Sequence, residues 1–133
     1  MILDEALHKL GKSNEDALVV QIGAMDGVSF DDIVGYFDAY PHWKALYVEP
    51  IPYLFERLKS NRPDTNIFEN SAIVSEDGPV EMVTIDKDYI ENGELHPGFA
   101  GMSAVWPPRN GLGTEYDKPV LDKHGQKITV DGI

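Results

Sequence analysis

The sequence predicts an α/β fold, a parallel sheet with helices on its faces, and three observations carry that reading. Residues 1–85 alternate helix-like and strand-like segments, in the order helix, strand, helix, strand, helix, strand, strand. Such alternation implies right-handed crossovers between parallel strands. The first strand-like run, 17–22 (ALVVQI), is nearly unbroken in apolar character, as strands buried on both faces of a parallel sheet are. It runs into a glycine turn, Gly23-Ala24-Met25-Asp26-Gly27, and the next strand ends on an acid, Glu49.

The elements follow in order. Ile2, Leu3, Ala6, Leu7 and Leu10 recur at helical spacing, with Gly11 as the expected stop. Residues 13–16 are a polar linker. After the glycine turn, Ser29 reads as an N-cap, with Asp31 and Asp32 in the first turn and Phe30, Ile33, Val34 and Phe37 as the buried face. Residues 44–48 (KALYV) are the second strand and close on Glu49-Pro50. Pro52 opens a third helix, a position where proline fits, and Ile51, Leu54, Phe55 and Leu58 form its apolar stripe. Residues 66–74 (NIFENSAIV) read as a third strand, SEDGP as a turn, and 80–85 (VEMVTI) as an alternating, half-exposed strand. From 86 to 127 the pattern dissolves into an expected irregular loop region, and 127–130 (KITV) reads as a last short strand.

At 133 residues the chain fits one domain with a single core. It has no cysteine, which excludes disulfides, thiolate metal sites and a cysteine nucleophile. A net charge of −12 repels phosphate backbones and argues against nucleic-acid binding. No apolar stretch approaches the roughly 20 residues of a bilayer span, and the charged N-terminus is unlike a signal peptide. The expected location is cytoplasmic, with no membrane partner. His8, His42, His96 and His124 show no metal spacing, so no metal site is expected. His96 and His124 read better as loop histidines than as general bases, and Asp86 and Asp88 better as a solvated strand end than as a cation site. Trp106, ahead of Pro107-Pro108, reads as packing for the loop region, and no Gly-x-Ser-x-Gly elbow occurs.

Ligands of open parallel sheets bind beyond the carboxyl ends of the strands. Gly23, Ala24 and Gly27 let a backbone approach a ligand closely, and a helix start there would aim its free N–H groups at the same place. Glu49, at the end of the second strand about 20 residues on, suits the two hydroxyls of a ribose. Asn70, Ser71 and Ala72 suit the edge of an adenine. The pairing of glycine turn and acid marks a nucleoside cofactor. The dinucleotide form needs Gly-x-Gly-x-x-Gly, and here Met25 and Val28 stand where glycines belong.

The segments VVQIGAMDG, LYVEPIPYLFERLKSN and NIFENSAIVSEDGPVEM resemble the FkbM-type methyltransferases over residues 17–86. GMSAVW and KITVDGI resemble later segments of that family more loosely. The resemblance implies a Rossmann-like parallel sheet of the class I methyltransferase type, incomplete at its C-terminal end, and S-adenosylmethionine as cofactor. By that resemblance Gly23, Ala24 and Gly27 line the methionine and ribose part, Glu49 beside Pro50 takes the ribose hydroxyls, and Asn70, Ser71 and Ala72 border the adenine. The sequence departs from the family at Gln21, where an acid is usual, and at Met25, where Asn is common, with Asp26 beside it to supply polarity.

The activity so implied is methyl transfer to a hydroxyl of a small-molecule acceptor, a sugar or a secondary metabolite. The alternative is a catalytically incomplete domain that binds a nucleoside or a partner chain. The family's acidic fourth strand has no counterpart here. Without a strand beside the first one, an apolar edge at Val19, Val20 and Ile22 is expected to be open, and self-association through it is the expected consequence.

Overall fold

The structure is a computed structural model that describes residues 3–13, 16–105 and 117–133. It is a mixed α/β protein that divides into two compact units, Met1–Glu69 and Asn70–Ile133.

The first unit contains α1 (Leu3–Lys12), β1 (Leu18–Ile22), α2 (Val34–Ala39), β2 (Lys44–Val48), α3 (Pro52–Asn61) and β3 (Ile67–Glu69). Its three strands form a parallel sheet in the order β1-β2-β3, with Leu18 opposite Lys44, Ile22 opposite Val48, and Val48 opposite Glu69. Both crossovers step in the same direction, so right-handed connections place α2 and α3 on one face. The core lies on that face. Ala45 and Tyr47 of β2, with Val19 of β1 and Phe68 of β3, meet Phe37 of α2 and Leu58 of α3, and Trp43 and Leu7 complete the cluster. Phe37 meets Trp43 edge-on at 6.1 Å, and Tyr47 stacks on Phe68 at 5.7 Å. Each large side chain buried here contributes about 1.5–3 kcal/mol.

The opposite face of the sheet is bare on β1. Leu18, Val20 and Ile22 are 59%, 54% and 63% exposed, and Ile67 on β3 is 58% exposed. Among the described residues β1 pairs only with β2, so its outer edge is open as well. The expected open set of Val19, Val20 and Ile22 needs one correction. Val19 packs in the core, and Leu18 takes its place, because alternate residues of a strand face opposite ways.

Four local expectations in this unit also change. Gly11 lies inside α1 instead of ending it: a Cβ there would stand 2.2 Å from the Tyr40 ring, so the glycine admits that ring. The second helix starts at Val34, not at Ser29, and Ile33 at its N-cap makes no side-chain cap. Phe30, expected on the buried face, is 66% exposed and left-handed at φ 56°. The third strand is only three residues long.

The second unit contains β4 (Gly78–Ile85), α4 (Lys87–Glu91), a 3-10 helix (Pro97–Gly101), β5 (Ser103–Val105), α5 (Asp117–His124) and β6 (Gly125–Gly132). Its sheet is antiparallel, in the order β5-β4-β6, and β4 pairs with β6 along its whole length. Residues 72–74, expected to continue the third strand, instead run beside the end of β6 through an Ala72–Gly132 bridge. The last four residues of β4 are all buried, so the expected alternation holds only for its first half. Val83 and Ile85 of β4 form a core with Leu121 of α5, joined by Ile90, Leu95 and Phe99. The stretch 86–127, expected to be irregular, therefore carries α4, the 3-10 helix, β5 and α5. Each element is short and bears too few apolar repeats to register as a period. Trp106 and its two prolines fall outside the described residues.

Candidate functional site

The site is built on the carboxyl ends of β1 and β2. Gly23 and Ala24 both donate their backbone N–H to the carbonyl of Val48, at 2.8 and 3.1 Å, so the turn closes over the end of the neighbouring strand. Gly23, Met25 and Gly27 have φ of 73°, 51° and 75°. Three left-handed residues in five curl the chain tightly, and glycine meets that demand without steric cost at two of them. Met25 is the exception, and a left-handed non-glycine residue costs about 1–2 kcal/mol unless its surroundings hold it.

Glu49 is what holds it. One carboxylate oxygen accepts the N–H of Met25 at 2.8 Å, and the other accepts the N–H of Ile51, ahead of α3, also at 2.8 Å. The acid thus fastens the glycine turn to the start of the next helix. Glu49 is 3% exposed. Burial pushes its carboxyl above the ordinary value of 4.5, and the two backbone donors counteract that only in part.

The two glycines differ. A Cβ on Gly27 would stand 2.6 Å from Cδ1 of Leu58 and 2.8 Å from Cγ of Arg62, so this glycine lets α3 pack against the turn. A Cβ on Gly23 would meet nothing within 4 Å. The backbone at Gly23 faces open space, as close approach of a ligand requires.

Asp26 closes the rest of the loop. One of its oxygens accepts the N–H groups of Val28 and Ser29, and the other accepts the Ser29 hydroxyl at 2.7 Å. Burial pushes its carboxyl up, but the Ser29 hydroxyl and the two backbone donors outweigh it and leave the group below its ordinary value of 3.8. Ser29 is therefore part of an Asp26-centred turn and not a helix cap. The expected helix N-terminus is absent from the site, since α2 starts seven residues beyond Gly27. Gln21 donates to Asp31 at 3.0 Å, and Asp31 also accepts the N–H of Ile33 ahead of α2. A neutral amide meets an acid here, where two acids would repel each other.

The first unit thus brings together Gln21, Gly23, Ala24, Asp26, Gly27 and Glu49, with Pro50 following as the half-buried link to α3. Asn70, Ser71 and Ala72 open the second unit, where Ser71 is buried and Ala72 is held by the bridge to Gly132. Sequence reasoning missed Asp31 as the partner of Gln21, and it missed Asn61, whose side chain donates to the Asp26 carbonyl at 2.9 Å. No short-range pattern marks either contact. Asp86 caps α4 by accepting the N–H of Asp88, in place of a solvated strand end. No cluster of three or more potential metal ligands occurs among the described residues, and no helix among them is long and apolar enough to cross a membrane.

Comparisons of the chain with protein-family models, with curated proteins and with solved structures found no match.

Proposed function

We propose that the chain binds S-adenosylmethionine and belongs to a methyltransferase of the FkbM type, with the first unit as one half of a Rossmann-like sheet. The observation that carries this reading is the glycine turn. It is curled by left-handed Gly23 and Gly27, fastened to an acid on the adjacent strand, and open above Gly23. The parallel order β1-β2-β3 with its helices on one face supports it. So does the resemblance of residues 17–86.

In this reading Gly23 and Ala24 let the cofactor lie against the backbone, and Glu49, at the end of the adjacent strand, stands on the ribose side. When bound, the cofactor would supply a sulfonium methyl for transfer to an acceptor hydroxyl, with S-adenosylhomocysteine as the leaving group and the hydroxyl proton passing to solvent. What the chain contributes is proximity and orientation. Its acceptor is a small molecule bearing a hydroxyl.

Calorimetric titration with S-adenosylmethionine and with S-adenosylhomocysteine tests the proposal. Gly23→Ala is the informative variant, because its Cβ enters the open space and strikes no atom of the protein. It should weaken binding about tenfold, equivalent to about 1.4 kcal/mol. Absence of binding to a folded sample overturns the proposal.

A second reading is favoured by the bare apolar face at Leu18, Val20, Ile22 and Ile67. In it the chain is a binding or interaction domain that carries out no methyl transfer. Cofactor binding without turnover on any hydroxyl acceptor would select it.

A further inference from the structure

We infer that a second site, apart from the open backbone at Gly23, binds a small oxyanion through Arg62. It is a cleft of about 450 Å³ in the first unit, lined by Phe37, Trp43, Arg62 and Thr65, with Asp38 on its wall. Trp43 immediately precedes β2, and Asn66, also in the lining, immediately precedes β3. The cleft therefore lies toward the amino ends of those strands, whereas Gly23 and Glu49 stand at carboxyl ends.

The observation that points to an anion is the state of Arg62. Its Nε donates to the hydroxyl of Tyr47 at 3.1 Å, and its guanidinium lies 5.3 Å from the centre of the Phe37 ring. Tyr47 and Phe37 are both buried, so the guanidinium is held by two fixed partners. With Nε occupied, the two terminal nitrogens form a planar fork suited to bidentate binding of a carboxylate or a phosphate. Among the described residues no acid lies within ion-pair distance of Arg62, although the chain has 23 acids against 11 lysines and arginines. In so acidic a protein, a cation that is fixed and unneutralised has a reason to be there other than solubility.

Two neighbours define the ligand further. The indole N–H of Trp43, a lining residue 5% exposed, is a buried donor with no acceptor among the described residues. The Asp38 carboxylate sets a limit, because it repels an anion bound at Arg62 and makes binding weaker than the fork alone would give. The other polar wall residue, Asn66, is already committed: it accepts the N–H of Ala45 and donates to the carbonyl of Pro63.

The test is an NMR titration of the full chain, with inorganic phosphate in one arm and acetate in the other, at constant ionic strength. The expected result is a saturable shift of the Arg62 side-chain N–H and the Trp43 indole signals, with millimolar affinity for phosphate, acetate or both. Saturation by phosphate alone assigns a phosphate-bearing ligand, and saturation by acetate alone assigns a carboxylate. Arg62→Lys removes the planar fork and should weaken binding about fivefold. Asp38→Asn should instead tighten it about twofold, because it removes the repelling charge. Asp38 is exposed, so that arm decides even where the arginine variant is poorly folded. Linear shifts spread over the lysines with Arg62 unmoved, or no gain with Asp38→Asn, would overturn the inference.

Discussion

Glu49 and the two glycines around it carry the sharpest consequences at the scale of single residues. Glu49 binds protons more tightly when folded than when unfolded, since burial raises its carboxyl above 4.5. Folding is therefore most favoured, as far as this group is concerned, below pH 4.5, and that contribution is lost as pH rises through the raised folded value. Glu49→Gln does not titrate. Denaturant melts of both proteins across this window should show the wild type losing stability with rising pH relative to the variant. At neutral pH the variant places an amide donor against one of two backbone donors and should cost about 1–3 kcal/mol. The glycines should separate cleanly. Gly27→Ala combines a left-handed φ with contacts of 2.6 and 2.8 Å and should cost about 2–4 kcal/mol. Gly23→Ala has only the φ to contend with and should cost about 1 kcal/mol by the same melts.

Among the elements, the short β2–β3 ladder depends on a side chain. The hydrogen-bonded register covers only Leu46 to Val48 against Ile67 to Glu69. One step before it, Asn66 takes over, accepting the N–H of buried Ala45 at 2.9 Å. Asn66→Ala leaves that donor without its partner and should destabilise the protein by about 1–3 kcal/mol, with accelerated amide exchange at Ala45 as the local signature. The bare stripe on β1 bears on association. A two-fold through Val20 would set Leu18 against Ile22 of a second copy, with every apolar residue on one face, so the edge is self-complementary. Val20→Lys should leave the monomer's stability nearly unchanged, since Val20 is exposed, and should abolish any concentration-dependent association seen by sedimentation velocity.

For the whole molecule, the net charge of −12 is the dominant collective term. Self-repulsion of this size is screened by salt, so the melting temperature should rise between about 10 and 150 mM sodium chloride as the Debye length falls from about 30 to 8 Å. Much of the first unit is legible without the structure. The strands 18–22 and 44–48, the third helix opened by Pro52, and the glycine turn beside an acid all follow from apolar runs and turn residues close in the chain. The second unit is far less legible, because β5 and α4 are three and five residues long and owe their form to β4, to which β5 is hydrogen-bonded, and to a shared core.

The same division runs through the site. The chain's own pattern determined that a glycine turn would end the first strand, that an acid would end the second, and that the crossovers would leave a parallel sheet. These are matters of local periodicity and backbone sterics. Only the tertiary structure decided that Glu49 grips Met25 and Ile51, that Asp26 and not Ser29 organises the loop, and that Gly23 looks into open space while Gly27 is packed against α3. Those outcomes depend on which distant groups arrive within hydrogen-bonding or van der Waals reach, and spacing along the chain does not encode that.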